Sequence, residues 1–510
     1  MQVTVGHNTS TRQPVALDTL KLINGHLQIS GITGTGKTHR IIALVKAIVE
    51  SASALRQPLR IHVFDPHGDM EVPYASEVKF SEATAYGYNP LEINPDPDYG
   101  GVRRAIQKFI AAIQKHKALG TKQEAVMRYL LEDMYAARGF KSDDPSTWIP
   151  DDPRMVREMM RGKEGRVYLD VSYEHRARFK ELLKDPATGR YRGGFDDFND
   201  DPAMRAKKCW WVEEAFYDGD FLMWEPKSLF KTAPTMDDAV RFTERKLKAH
   251  FCGTNSAAMA LLNDVNRAGR AYHRKVAELS KRGAVLSEGE MGELQAGLDK
   301  TKKNAGQAYL SYLDAIVTGR ELDDIIRYNS TDVLTSVYER FQNLRAIGIY
   351  NPVLPPFDPA APVWRYVIKP LEIPVQRMFV DLVCARIFER AMHRGVQKDV
   401  VEIILLDEGK RYVGEGGDDD VLNKIANEAR KYGLGLWMAS QTPEHFTDDF
   451  IKATGTIVIL GLAEADVRVA ARKLGVDERM LGAIIPQQTA LVQLKNKGVL
   501  SADFQMVRLA

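Results

Sequence analysis

The chain has 510 residues, of which 44% are hydrophobic and 27% are charged, as is typical of a globular protein with a sizeable core. Its 70 lysines and arginines nearly balance 68 acidic residues, so whole-chain charge excludes a strongly basic nucleic-acid binder and leaves only local basic surfaces. The 3 cysteines lack zinc-site spacing, and neither a signal core nor a long apolar run is present. We therefore expect a cytoplasmic protein with no integral membrane segment.

A complete phosphate-binding pattern, G-x-x-x-x-G-K-[ST], spans residues 31–38. It follows a predicted short strand at 26–30 and precedes a predicted amphipathic helix at 40–50, which is the context that a P-loop requires. The glycines allow consecutive N–H groups to point at a phosphate, and the helix N-terminus adds partial positive charge. Lys37 is expected to reach the β- and γ-phosphates of ATP, and Thr38 is expected to offer its hydroxyl to Mg²⁺.

The next predicted strand, at 59–64, ends in an acidic turn, Asp65-Pro66-His67-Gly68-Asp69. Ligands of open α/β sheets bind at the carboxyl ends of the strands, so we expect this turn beside the P-loop. Asp65 could hold a Mg²⁺-bound water or Lys37, or it could be a solvated aspartate in a Pro-Gly turn. The candidate cofactor-binding residues are Gly31, Thr33, Gly34, Thr35, Gly36, Lys37, Thr38, His39, Asp65 and His67.

Two packing helices are predicted at 101–119 and 122–138, after which the character of the sequence changes. Polar helical patterns and Gly-, Asp- and Pro-rich loops then predict a large, mostly helical insertion or subdomain between two parts of one core. The predicted domains are 1–145, 146–361 and 362–510. In the insertion, Lys207-Lys208 beside Trp210-Trp211 could bind nucleic acid, or it could form an exposed helix face over buried aromatic rings.

A nearly continuous apolar strand at 401–406 ends in Asp407-Glu408. A run of this kind is typical of a parallel strand that is buried on both faces, and the two acids give it the Walker B arrangement. Asp407 is expected to hold Mg²⁺ through water, and Glu408 is expected to orient or deprotonate the attacking water. Such a strand is common on its own, and the P-loop is what makes the interpretation specific.

A helix at 418–431 leads into a strand that delivers Gln441 to the same edge of the sheet. A glutamine there could sense the γ-phosphate or position the water, or it could be an ordinary strand-end amide. Arg430 and Arg468 are candidates for an arginine finger that reaches the nucleotide of a neighbouring subunit. For each arginine a solvated helix face is the alternative, and we favour Arg430.

These segments together resemble the HerA/FtsK superfamily of P-loop motor ATPases, and within it the HerA-like and conjugation-system (type IV secretion) ATPases. The specific features are the Asp-Pro-His-Gly turn at 65–68 and the run Arg430-Lys431-Tyr432-Gly433-Leu434-Gly435 that leads into Ala439-Ser440-Gln441. The resemblance covers residues 20–140 and 362–510. It implies an α/β fold with a RecA-like P-loop ATPase core, in which a mainly parallel sheet is interrupted by the insertion.

The resemblance also implies a homo-oligomer, a hexameric ring, that hydrolyses ATP with Mg²⁺ between subunits and translocates double-stranded DNA. The catalytic residues that it assigns are Glu408 as base, Gln441 as sensor, Arg430 as trans-acting finger and Lys37. The metal-binding residues are Thr38 and Asp407. Two alternatives stay open: an ATPase of a secretion, conjugation or assembly machine that acts on protein, and an ATP-dependent partner of a nuclease.

Overall fold

The structure is a computed structural model that describes residues 1–116, 118–151, 231–252, 256–281, 288–314, 331–412, 421–499 and 502–509, with short segments between 156 and 224. The chain forms two compact units. The core unit comprises Met1–Tyr99, Arg104–Leu119 and Asn343–Ala510, and the second unit comprises Gly100–Arg103 and Gly120–Gln342. The predicted division into 1–145, 146–361 and 362–510 stays a prediction. Among the described helices, none combines the length and apolar composition that a membrane crossing requires.

The elements are numbered in chain order over the described residues. The strands are β1 (Gln2–Asn8), β2 (Pro14–Asp18), β3 (Leu27–Ser30), β4 (Arg60–Asp65), β5 (Ala75–Lys79), β6 (Val156–Arg161), β7 (Arg166–Val171), β8 (Gly193–Phe195), β9 (Trp210–Glu213), β10 (Phe216–Asp218), β11 (Phe221–Trp224), β12 (Val363–Val367), β13 (Glu402–Leu406), β14 (Leu434–Ser440), β15 (Thr456–Ile459), β16 (Thr489–Leu494) and β17 (Gln505–Leu509). The helices are α1 (Lys37–Ala54), α2 (Val102–His116), α3 (Thr121–Ala137), α4 (Met236–Cys252), α5 (Ser256–Lys281), α6 (Glu288–Asp314), α7 (Thr331–Ala346), α8 (Ile373–Arg394), α9 (Val421–Glu428), α10 (Asp448–Ala453), α11 (Glu464–Leu474) and α12 (Glu478–Gly482).

The core unit is built on an 11-stranded sheet with the order β2-β1-β17-β16-β15-β3-β14-β13-β4-β12-β5. The strands from β15 to β5 in this order run parallel to one another. The strands from β2 to β15 pair antiparallel. The predicted α/β fold with a mainly parallel sheet is confirmed, and β14 lies between the P-loop strand β3 and the acidic strand β13.

Strand β4 shows how the two faces of this sheet are covered. Successive side chains of a strand point to opposite faces, so Ile61 and Val63 join the cluster that α1 covers. On the other face, Phe64 stacks on Tyr366 with ring centroids 4.6 Å apart. Burial on both faces explains the continuous apolar runs of β13 and β14, whose residues are all buried.

A buried polar network ties α8 to the start of β13. The Nε2 atom of His62 lies 2.9 Å from Oε1 of Glu402, and Arg394 donates to the other carboxylate oxygen at 2.9 Å. Burial opposes ionisation of this carboxyl, but the hydrogen bond to His62 and the charges of Arg390 and Arg394 hold the pKa of Glu402 at about 2. The carboxylate is therefore ionised at neutral pH, and it fixes the strand that carries Asp407 at its far end.

The second unit contains helices and two small antiparallel sheets. Helices α5 and α6 pack against each other, and the four-stranded sheet has the order β6-β7-β9-β8. The sequence predicts a mostly helical insertion and does not predict these short strands. Trp210 and Trp211 lie in β9, opposite Leu169 and Tyr168 of β7. Strands of three to six residues are too short for a periodicity test to separate from helix. The pair Lys207-Lys208 lies outside the described residues.

Candidate active site

The P-loop connects β3 to α1, whose first residue is Lys37. Gly34 and Gly36 have φ angles of 87° and 86°, in the left-handed region that favours glycine. The hydroxyl of Thr35 donates to the carbonyl oxygen of Ile32 at 2.7 Å, which closes the turn. The glycines of the motif therefore serve the backbone path that the sequence predicts for a phosphate cradle.

Two neighbouring strands hold the start of this loop. The N–H of Gly31 donates to the carbonyl of Ser440, the last residue of β14, at 3.1 Å. The N–H of Ile32 donates to the carbonyl of Gly461, just beyond β15, also at 3.1 Å. Gln441 is exposed and follows Ser440 directly, so its backbone lies next to the residue that holds Gly31.

Lys37 and the two acids at the end of β13 lie together. Its Nζ atom is 3.2 Å from Oε1 of Glu408, and the two side chains are 11% and 18% exposed. Glu408 has a φ of 53°, a left-handed conformation that costs a residue with a Cβ about 1 kcal/mol or more. This unusual backbone at the end of the strand orients the Glu408 carboxylate towards the P-loop lysine.

Asp407 is the more buried of the two acids, with 3% of its surface exposed. Its Oδ1 atom accepts the N–H of Glu408 at 3.0 Å. Burial raises the pKa of the Asp407 carboxyl, and the nearby Lys37 ammonium opposes that rise. A cation bound here would favour the ionised carboxylate, because opposite charge stabilises it.

These residues fit a magnesium nucleotide. A Cβ built on Gly34 would meet no atom within 4 Å, and Thr33 and Gly34 are exposed, so the loop is open to a ligand. Thr38 and Asp407 offer the oxygen donors that Mg²⁺ prefers, and the ion usually keeps several waters besides. His39, one residue further along the first turn of α1, is exposed.

Asp65 has partners other than those that the sequence suggested. Its Oδ1 atom accepts the N–H groups of His67 at 3.1 Å and Gly68 at 2.7 Å. Its Oδ2 atom accepts the N–H of Met70 at 3.1 Å and two guanidinium bonds from Arg365 at 3.0 and 2.7 Å. Both oxygens are occupied and the residue is fully buried, so this carboxylate shapes the turn and anchors β12. The expected contact with Lys37 is not among these bonds.

The acidic turn nevertheless lies near the site, through His67. β4 pairs with β13, while β13 and β14 separate it from β3, so the turn is beside the Walker B end. An Nη atom of Arg411 lies 3.3 Å from Nε2 of His67. Like Lys37, His67 opposes the rise in the pKa of Asp407 that burial causes. Arg411 was missed; its signal is a basic residue three positions after Glu408.

A second contact at the end of β14 was also missed. The hydroxyl of Ser440 lies 2.6 Å from Nδ1 of His445. Burial lowers the pKa of His445, with a further contribution from the Lys410 charge. The neutral imidazole of His445 therefore holds Ser440, whose carbonyl accepts the N–H of Gly31 and which directly precedes Gln441.

Arg430 lies at the opposite end of β14 from Gln441. It is exposed, and it lines a cavity of about 570 Å³ together with Asn24, Lys398 and Lys431. The strand between them has 7 residues. At ~3.3 Å per residue its length is roughly 20 Å. The structure therefore does not bring Arg430 to the P-loop of its own chain. Arg468 is exposed on α11.

The chain is similar to known proteins in part of its sequence and in its fold. Residues 3–135 match the family model described as "Helicase HerA, central domain". VirB4 of Thermoanaerobacter pseudethanolicus is similar in structure, with 12% identity and a TM-score of 0.52 over 100% of this chain and 96% of that chain. The bacterial conjugative coupling protein TrwBdeltaN70 aligns with 11% identity and a TM-score of 0.45 over 99% and 88%. A comparison with curated protein sequences gave no match.

The two informative matches cover different features of the chain. The HerA model spans the P-loop and the Asp65 turn, which are the first half of the predicted motif set. The VirB4 match shows a shared fold along the whole chain. The predicted resemblance of the chain to the HerA/FtsK superfamily of P-loop motor ATPases is thereby confirmed.

Proposed function

We propose that the chain is an oligomeric, Mg²⁺-dependent ATPase that translocates double-stranded DNA. The observation that carries the ATPase proposal is the convergence of Lys37, Asp407 and Glu408 at one end of the sheet, beside the P-loop. A cation, a buried carboxylate and a second carboxylate are the set that phosphoryl transfer to water needs. The match to the HerA central domain model supports the assignment.

Each residue of the set has a distinct role in this proposal. Bound Mg²⁺–ATP supplies the phosphoryl group to be transferred and the charge of the metal. Lys37 would leave its ion pair with Glu408 and bind the phosphates instead. The released Glu408 carboxylate would accept the proton of the attacking water. Thr38 and Asp407 would hold the metal, and Gln441 would position the water through its amide.

The proposal of an oligomer comes from the resemblance to ring-forming ATPases, and the position of Arg430 is compatible with it. Since the length of β14 separates this guanidinium from the P-loop of its own chain, it can act on a nucleotide only from a neighbouring subunit. An arginine that stabilises the charge of the transferring phosphoryl group accelerates hydrolysis by ~10³-fold or more. We propose a hexameric ring in which Arg430 completes the site in trans.

Mixed assemblies test this arrangement. Arg430→Ala and Glu408→Gln subunits should each hydrolyse ATP poorly alone, because one lacks the finger and the other lacks the base. Mixing them should restore a measurable fraction of the wild-type rate, since some interfaces then combine an intact Glu408 with an intact Arg430. The measurement is the ATPase rate against mixing ratio.

A matched control is Arg472→Ala, which removes an exposed arginine in the last turn of α11. This variant should keep the wild-type rate without mixing. An absence of rescue by Arg430→Ala, with assemblies of unchanged mass, would count against a finger at this position.

The substrate is the second part of the proposal. Double-stranded DNA is favoured by the description of the matching family model as a helicase domain. A motor of a secretion or conjugation machine that acts on protein is the second candidate, because the motifs of the chain also resemble those of the conjugation-system ATPases. Duplex DNA should stimulate hydrolysis in the first case and leave it unchanged in the second. The third candidate is an ATP-dependent partner of a nuclease that does not translocate. A nuclease-binding assay tests it.

A further inference from the structure

We infer that Gln487 is a positioning residue for the P-loop. Its Nε2 atom donates a hydrogen bond to the carbonyl of Gly34 at 2.8 Å, across 453 positions of sequence. The inference deepens the proposed function and rests on it, because it adds a residue to the same nucleotide site. Gln487 does not lie in any motif of the sequence, and it reaches the loop from the segment between α12 and β16.

The packing of this segment against the loop supports the assignment. A Cβ built on Gly36 would lie 3.5 Å from Cγ of Gln487. A Cβ built on Gly461 would lie 3.9 Å from Cγ of Pro486, and the carbonyl of Gly461 accepts the N–H of Ile32. Pro486 and Gln487 therefore cover one side of the P-loop, while β14 holds its start through Gly31.

The hydrogen bond acts on an exposed part of the loop. Gly34 is exposed, its φ is 87°, and a Cβ there would meet no atom within 4 Å. Glycine loses more conformational freedom on ordering than any other residue. Because a trans peptide is planar, fixing the Gly34 carbonyl also fixes the N–H of Thr35, which points the opposite way and donates to the carbonyl of Ile32 at 3.3 Å. Gln487 thus helps to hold the backbone path of the loop before the nucleotide arrives.

The turn that presents Gln487 is itself well anchored. The N–H of Ile485 donates to the hydroxyl of Thr489 at 2.8 Å, and the N–H of Gln488 donates to the carbonyl of Ile485 at 3.1 Å. The N–H of Leu509 donates to the carbonyl of Gln488 at 2.9 Å, which fastens the turn to β17. Gln487 has a φ of 64°, which is unfavourable for any residue with a Cβ. Glycine would relieve this strain.

The strained backbone of Gln487 allows its effects on stability and on nucleotide binding to be separated. Gln487→Gly should leave the melting temperature unchanged or raise it, because the backbone strain is removed. The same variant should bind Mg²⁺–ADP roughly three- to tenfold more weakly, as expected for the loss of one hydrogen bond, and raise KM for ATP by a similar factor with little change in kcat. A merely structural residue would move stability and affinity in the same direction. The measurements are calorimetric titration, steady-state ATPase kinetics and thermal melting.

The neighbouring glutamine supplies the control. Gln488 is also exposed, and its bonds described above are made by its backbone, so Gln488→Ala should match the wild type. Gln487→Glu keeps the size but loses the donor, and it should weaken binding at least as much as Gln487→Gly, whereas Gln488→Glu should not. Wild-type affinity in Gln487→Gly or Gln487→Glu overturns the inference. A wild-type chain that binds no Mg²⁺–ADP would instead reject the proposed function, and with it the inference.

Discussion

Replacing Lys37 by alanine is expected to remove most nucleotide binding while the chain stays folded. The ammonium lies at the start of α1, 3.2 Å from Glu408, and it opposes the rise in the pKa of the buried Asp407 carboxyl. Without it, the phosphates lose a charge-assisted donor, and only the metal is left to offset the charge of the two carboxylates. A bond of this kind contributes ~3 kcal/mol, so binding should weaken by about 100-fold or more. Titration with Mg²⁺–ADP measures the binding, and circular dichroism measures whether the variant is folded.

Lys46→Ala is the matched control for this prediction. Lys46 lies on the same helix, its side chain is 56% exposed, and its ion-pair partner Glu50 is also on the surface. Its loss should leave nucleotide binding unchanged, because surface ion pairs contribute little. Binding of Mg²⁺–ADP by Lys37→Ala at wild-type affinity would contradict the assignment of the phosphate site.

Replacing Glu408 by glutamine should stop turnover and preserve binding. The amide keeps the size of the side chain and the strained backbone of 53° in φ, but it cannot accept the proton of the attacking water. Loss of a general base lowers the rate by ~10²- to 10⁴-fold. Since the variant also releases Lys37 from its ion pair, nucleotide affinity should equal or exceed that of the wild type.

Steady-state hydrolysis and Mg²⁺–ADP titration separate these two effects. Glu464→Gln, which neutralises an exposed carboxylate in the first turn of α11, should change neither quantity. A Glu408→Gln chain that hydrolyses ATP at the wild-type rate would show that the base is another group.

Sequence patterns predicted the parts of the site that depend on local structure. The P-loop, the apolar strand β13 with its two acids, and β14 ending before Gln441 lie where the motifs and the apolar runs indicated. A phosphate cradle requires glycines at fixed positions, and a parallel strand that is buried on both faces requires a continuous apolar run. Each pattern lies within a few residues, so the sequence predicts these features.

Contacts between distant segments could not be predicted in the same way. By its motif Asp65 could hold a Mg²⁺-bound water or Lys37, yet Arg365, 300 positions later, binds its carboxylate. That ion pair depends on the register of β4 against β12, which no local pattern specifies. Gln487 is likewise invisible in the sequence, because its contact with Gly34 arises from the antiparallel end of the sheet.

The measurement that tests the central proposal most directly is the ATPase rate with and without duplex DNA, together with the mass of the assembly. We expect an oligomer of the 57.3-kDa chain whose hydrolysis requires Mg²⁺ and rises when duplex DNA is added. Raising the salt from ~50 to ~200 mM should remove most of the stimulation, because phosphate contacts release counterions. A monomer whose hydrolysis does not respond to duplex DNA at either salt concentration would contradict the proposal.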